Sequence, residues 1–156
     1  MRLITHDPMQ TKALGQQLGK MFTKGDTVAL FGEMGAGKSE LCRAIAKSLG
    51  VSGPVPSPTF TIMQMYSDGR IPLYHFDWYR LSGADELYEM GLDEYLGGDG
   101  LALVEWPTMA IEALPERHLQ IHIEKTEDEN ERIFVLMPVG GFVFREEEAL
   151  FERFGH

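Results

Sequence analysis

Between Asp7 and Phe22 the apolar residues Leu14, Leu18 and Met21 recur at intervals of three and four among polar neighbours, and that spacing predicts an amphipathic helix. Gly25-Asp26 ends it. The run Thr27-Val-Ala-Leu-Phe31, β-branched and apolar between glycines, predicts a buried strand. Helical spacing returns from Glu40 to Leu49 through Leu41, Ile45 and Leu49, and Gly50 stands where a left-handed terminator belongs. Prolines and a glycine make Ser52 to Pro58 a loop, and Thr59 to Tyr66 predicts a strand. Ile71 to Phe76 and Leu101 to Val104 predict two more strands, each running into an acid, Asp77 and Glu105. Ala84 to Met90 has helical character, Gly91 to Tyr95 is a short turn or helix, and Gly97 to Gly100 is a loop. Later, Leu119 to Glu124 and Arg132 to Met137 alternate around the polar turn Thr126 to Asn130, the pattern of an antiparallel hairpin, and Glu146 to Phe154 predicts a closing helix. Strand, glycine-rich turn, helix and further strands make an α/β plan, a mainly parallel sheet with antiparallel edge strands and helices on both faces.

With 156 residues, 44% of them hydrophobic, the chain suits one domain spanning 1–156 and burying a real core. No apolar run reaches the length of a membrane span, so a soluble, unexported protein is expected, and the single Cys42 fits a reducing cytoplasm. Cys42 lies within a predicted helix, where a small core residue is the ordinary reading. The formal charge of −10 opposes a polyanion such as RNA, which argues against broad nucleic-acid binding by this chain alone. Any anion site must then draw its positive field locally, from backbone N–H groups, a lysine and a metal ion.

Such a site is written in Gly32-Glu-Met-Gly-Ala-Gly37-Lys38-Ser39, a full match to G-x-x-x-x-G-K-[ST] between a predicted strand and a predicted helix. Glycines let successive N–H groups turn inward on a β-phosphate, Lys38 reaches the β and γ oxygens, and the Ser39 hydroxyl ligates Mg²⁺. The expected cradle is Glu33, Met34, Gly35, Ala36, Gly37, Lys38 and Ser39. Glu40, in the first helical turn, has two readings. It stands close enough to repel an anionic ligand, in which case Glu40→Thr would tighten ATP binding by on the order of 1 kcal/mol, or it turns away to Arg43 or Lys47 and does nothing. Thr23-Lys24-Gly25-Asp26 imitates the guanine-reading element of GTPases, but it precedes the phosphate loop where that element should follow it.

Five segments together carry a more specific resemblance: the phosphate loop, Ser57-Pro-Thr-Phe-Thr61, His75-Phe-Asp-Trp-Tyr-Arg-Leu81, Gly91-Leu-Asp-Glu-Tyr95 and Leu103-Val-Glu-Trp-Pro107. In this order and spacing the chain resembles the TsaE (YjeE) family, the ATPase component of the bacterial machinery that makes threonylcarbamoyladenosine in transfer RNA. The resemblance implies a P-loop NTPase fold, ATP and Mg²⁺ as ligands, weak ATPase activity alone, and partnership with TsaB and TsaD. ATP turnover would reset that complex, and transfer RNA would be met only indirectly, through it. The family commonly has two threonines after the loop lysine, where this chain has Ser39 and Glu40, and Trp78 stands where leucine is usual.

From the resemblance, Asp77 is assigned to the magnesium shell and Glu105 to water positioning or the outer metal shell, which with Ser39 makes the expected metal set and with Lys38 the expected catalytic set. Which acid does which is open, and either one could instead cap the next element or pair with Arg80. Thr59 is the first choice for a γ-phosphate sensor and Thr61 the second, against a plain loop entering a strand. Trp106 packs beside the nucleotide, faces a partner, or is core. His75 has no second histidine at metal spacing, which argues against a ligand role. The competing functions are a small-molecule or nucleotide kinase, for which no arginine-rich lid is visible, and a nucleotide-sensing module without useful turnover.

Overall fold

The computed structural model describes residues 1–156. Seven strands form one sheet: β1 (Arg2–Thr5), β2 (Thr27–Phe31), β3 (Met63–Tyr66), β4 (Leu73–Asp77), β5 (Leu101–Glu105), β6 (His118–Lys125) and β7 (Arg132–Val139), in the order β1-β7-β6-β2-β5-β4-β3. The four central strands β6, β2, β5 and β4 run parallel, whereas β7 and β3 are antiparallel to their neighbours and β1 pairs antiparallel with β7. The helices are α1 (Pro8–Met21), α2 (Lys38–Ser48), α3 (Ala84–Glu89) and α4 (Glu147–Phe154), with 3-10 helices at Leu92–Tyr95 and Pro107–Ala113.

Strand alternation splits the core in two. Leu73, Leu101 and Leu103 point to the face covered by α1, α2 and α4, where Leu14, Leu18, Leu41, Ile45, Leu150 and Phe154 meet them. Tyr74, Phe76, Ala102 and Val104, the alternate residues, face Leu81, Ala84 and Leu87 on the other side. That second face has only the six-residue α3 and the 3-10 turns over it, so the two layers of helix are unequal.

The expected hairpin of β6 and β7 is present, in register from His118↔Val139 to Lys125↔Arg132. The strand expected over Thr59–Tyr66 is half right. Its first part is a turn in which Ile62 N donates to Pro58 O at 2.8 Å and Ile62 takes a positive φ of 68°, a shape no strand accommodates. Likewise Ile71 and Pro72 precede β4, and the Pro72 carbonyl accepts from Leu101 N. Two elements had no counterpart in the pattern: the short edge strand β1 and the 3-10 helix after Trp106.

Between β2 and its later neighbours the chain leaves over α2 to β3 and β4, returns to place β5 beside β2, then crosses to β6 on the other side. Open α/β sheets bind ligands outside the carboxyl ends of strands at such a switch point. The segments following β2, β4 and β5 all meet there.

Candidate functional site: a cavity at the carboxyl ends of the central strands

β2 delivers the loop Gly32–Gly37 directly to the first turn of the eleven-residue α2. Gly35 and Gly37 sit at φ +79° and +107°, which glycine adopts without strain, and Gly37 is the N-cap of α2. No side chain caps this end, so the first N–H groups of α2 and the positive end of its dipole face outward at the loop. Lys38, though 5% exposed, folds back over the loop. Its Nζ donates to the Gly32 and Glu33 carbonyls, the latter at 3.0 Å, and stands 4.2 Å from the centre of the Trp106 ring. Burial lowers this ammonium from its usual 10.5, against the opposing pull of Glu105, Asp77 and Glu33.

The two acids end adjacent strands, with Asp77 opposite Glu105 in the β4–β5 register. Both are buried. Glu105 Oε1 accepts from Ser39 Oγ at 3.0 Å, and its Oε2 is 2.6 Å from His75 Nε2. Asp77 Oδ2 accepts from the hydroxyls of Thr59 at 3.1 Å and Ser57 at 3.3 Å, while Oδ1 accepts from Tyr79 N at 2.9 Å. Asp77 thus does cap the turn after β4, and the same side chain holds the Ser57–Thr59 segment against the cavity. Trp106 has a positive φ of 57°, a conformation costing roughly 1 kcal/mol or more for a non-glycine residue, and it leads into Pro107. This turn sets its ring against Lys38 and, at 5.0 Å, against Tyr79.

Lys38, Ser39, Ser57, Thr59, Asp77, Glu105 and Trp106 line one cavity of about 300 Å³ together with Met34, Gly35, Gly37 and Glu40. Glu33 and Ala36 belong to the loop but not to this lining: the Glu33 carboxylate is 3.8 Å from Lys125 Nζ, and Ala36 is buried. Glu40 stands at the rim of the cavity, and its exposed carboxylate meets Arg43 Nη1 at 3.4 Å, one of the two partners that its second reading names. Thr61 is not brought to the cavity. It is exposed and accepts from Gln64 Nε2, because the turn at Pro58–Ile62 carries it to the outer side. Cys42 is buried, as a core residue should be, and burial pushes its thiol well above its usual 9.0.

A larger neighbouring cavity, about 700 Å³, escaped the sequence reading. It shares Gly35, Gly37 and Glu40 with the first and runs between the start of α1, at Thr11 and Lys12, and the β6–β7 turn, at Asn130 and Arg132. Arg132 Nε donates to the Ala36 carbonyl at 3.0 Å and Lys125 Nζ to the Met34 carbonyl at 3.3 Å, so this turn braces the glycine loop. Nothing in the local pattern of residues 125–132 announces that contact, which is made across the sheet.

The family model described as "Threonylcarbamoyl adenosine biosynthesis protein TsaE" matches residues 5–134, which include every strand-end residue just described. The chain belongs to the TsaE family. It is 43% identical over 129 residues to a Bacillus subtilis protein named tRNA threonylcarbamoyladenosine biosynthesis protein TsaE, an alignment spanning 83% of this chain and 80% of that one. A Treponema pallidum protein of the same name is 33% identical over 135 residues, 86% of this chain and 99% of its own length. The crystal structure of Bacillus subtilis YdiB superposes with a TM-score of 0.79 at 37% identity, covering 97% of this chain and 91% of that one. The chain therefore shares its mixed α/β sheet with a solved relative as well as its motifs with the family. No helix is long and apolar enough to cross a membrane.

Proposed function

We propose that the chain is a single-domain P-loop ATPase that binds ATP and Mg²⁺ at the carboxyl end of β2 and serves transfer-RNA threonylcarbamoyladenosine formation together with TsaB and TsaD. One observation carries the reading: a buried lysine without a carboxylate partner shares a cavity with a hydroxyl and two strand-end acids, beneath an uncapped helix N-terminus. A triphosphate supplies the anion that Lys38 and the α2 N–H groups lack, and Lys38 would exchange the Gly32 and Glu33 carbonyls for phosphate oxygens. Ser39, Asp77 and Glu105 offer only oxygen donors, which suits Mg²⁺. When bound, that ion would neutralise charge on the phosphate oxygens. Glu105 is suited to orient the attacking water, Asp77 to hold the metal shell, and Thr59 to answer to the γ-phosphate through the bond it makes with Asp77. The larger adjoining cavity suits the ribose and base, with Thr11, Lys12, Asn130 and Arg132 around them.

Lys38 is the one cationic side chain lining the phosphate cavity and no arginine joins it, so nothing here supports a kinase with an arginine-rich lid. Pairing of Glu40 with Arg43 likewise weakens the case for a module without turnover. The acidic composition and the family name agree with a cytoplasmic role in which transfer RNA is met through the complex. The test is ATP hydrolysis with and without TsaB and TsaD, alongside nucleotide binding, for the chain and for Asp77→Ala and Glu105→Ala. Each variant should lose turnover by about 10- to 100-fold while keeping most of its ATP affinity. Normal hydrolysis by both would make the strand-end acids structural.

A further inference from the structure

Glu105 is gripped from two sides, and only one of the grips comes from the phosphate cavity. Ser39 Oγ donates to Oε1 at 3.0 Å, whereas Oε2 meets His75 Nε2 at 2.6 Å in a pair whose side chains are 1% and 3% exposed. His75 does not line the cavity. It stands on β4 opposite Leu103, on the sheet face that α2 covers, two residues before Asp77. Its other nitrogen, Nδ1, is buried without a hydrogen-bond partner. A buried N–H left without an acceptor is more costly than a bare lone pair, so the tautomer that fits carries its proton on Nε2 and donates it to Glu105. The ring then has one polar job, and Glu105 receives it.

We infer that His75 is a positioning residue for Glu105: its Nε2–H holds one carboxylate oxygen in the core and leaves the other, Oε1, as the single oxygen presented to Ser39 and the cavity. The inference rests on the reading of that cavity as the ATP and Mg²⁺ site. So held, Glu105 cannot turn both oxygens on a cation, nor swing toward the Lys38 ammonium in the same cavity, which an unanchored carboxylate would be drawn to. Asp77 is fixed differently, by hydroxyls and a backbone N–H, all of them local to the site. The two acids therefore differ in how they can be displaced: Asp77 by exchange of hydroxyl partners that line the cavity, Glu105 only by breaking a buried bond.

The alternative is that the imidazole merely fills space beneath α2, where a leucine would do as well. His75→Leu and His75→Gln, each alone and combined with Glu105→Gln, separate the two in the full chain with TsaB and TsaD. The readouts are ATP turnover across a Mg²⁺ series, ATP affinity without Mg²⁺, and thermal melting. His75→Leu should lower kcat about 10- to 100-fold and raise the Mg²⁺ needed for half-maximal rate, with metal-free ATP affinity changed by no more than about twofold. His75→Gln, whose amide N–H reaches the same oxygen, should keep kcat within about fivefold of the parent. In the Glu105→Gln background, His75→Leu should add little, because the group it positions has been disabled.

A native rate for His75→Leu would overturn the proposal, as would a loss that multiplies in full with that of Glu105→Gln, or a glutamine variant as slow as the leucine one. Should His75→Leu melt too low to assay, His75→Asn takes its place: its amide is too short to reach Oε2, and equal rates for asparagine and glutamine would be equally fatal. If the unmodified chain with its partners shows no Mg²⁺-dependent turnover, the ATP reading itself falls, an outcome distinct from all of these.

Discussion

Both ends of β2 bury charge, and the two ends treat it in opposite ways. At the amino end Asp26 is fully buried, accepts from Thr23 N at 2.8 Å, and is met by Arg117 at 3.1 Å and Arg145 at 3.7 Å. At the carboxyl end Lys38, Asp77 and Glu105 line one cavity, yet none of them makes an ion pair with another. The lysine is satisfied by backbone carbonyls and an aromatic face, the acids by hydroxyls, a backbone N–H and a histidine. Charge closed by its own partners ties the chain together and has nothing left for a ligand. Charge that stands around an opening and is closed by no opposite charge of its own can be claimed by one. This explains why Thr23-Lys24-Gly25-Asp26, which imitates a nucleotide-reading element, is a structural clasp.

The sharpest way to break this contrast is Lys38→Ala. ATP affinity should fall about a hundredfold or more, ~3 kcal/mol, because a charged donor is lost from a buried site, while the melting temperature changes little. Isothermal titration and a thermal melt read both quantities, and unchanged affinity would remove the carboxyl end's claim to a ligand. At the other end Asp26→Asn should do the reverse. Urea denaturation should show about 2 kcal/mol of lost stability, less than for a wholly buried pair because both arginines are partly open to water, with ATP affinity untouched. If Asp26→Asn weakened ATP binding as Lys38→Ala does, the two ends could not be treated as separate.

A smaller effect sharpens the picture of the carboxyl end. The Cys42 thiol is pushed well above its usual 9.0 by burial, so above that pH the unfolded chain releases a proton that the native chain keeps. Stability tied to this thiol is whole below pH 9.0 and declines as the pH climbs past it. Lys38, lowered by burial, acts in the other direction below 10.5, which makes the useful comparison the chain against Cys42→Ala. Between about pH 9 and 10 the variant should lose less stability than its parent, by at most ~1 kcal/mol, in parallel urea titrations. A parallel decline in both would mean that the thiol is open to water in the native chain. The smallest effect belongs to Glu40→Thr. Since its carboxylate pairs with Arg43 at 3.4 Å on an exposed helix face, ATP affinity should change by less than about twofold, with no change in its salt dependence. A fivefold gain would restore the repulsive reading of this residue.

Of the site, what could be read in advance was whatever lies in one stretch of chain or at one strand end. Met34, Gly35, Gly37, Lys38 and Ser39 of the loop, the acids after two apolar runs and the hydroxyls of Ser57 and Thr59 do meet in one cavity. Thr61 stands second to Thr59 in the sequence reading, both being β-favouring threonines two residues apart, and the turn closed by Ile62 N on Pro58 O is what separates their directions. His75 was set aside for want of a second histidine, a search for metal spacing that could not reveal a bond to Glu105 on the neighbouring strand.

The sequence by itself determined the α/β plan with its parallel centre, the hairpin and the glycine-rich turn from β2 into α2, because these depend on periodicity and on residues close along the chain. Tertiary structure alone decided how far each element runs and which residues face one another. It enlisted β1, a strand of four residues too short to show a pattern, as the partner of β7. It brought Lys125 and Arg132 across to the glycine loop, and it set His75 behind Glu105. Each of these contacts is fixed by strand order and register, which arise only when the whole sheet assembles, and no local window of the chain contains them.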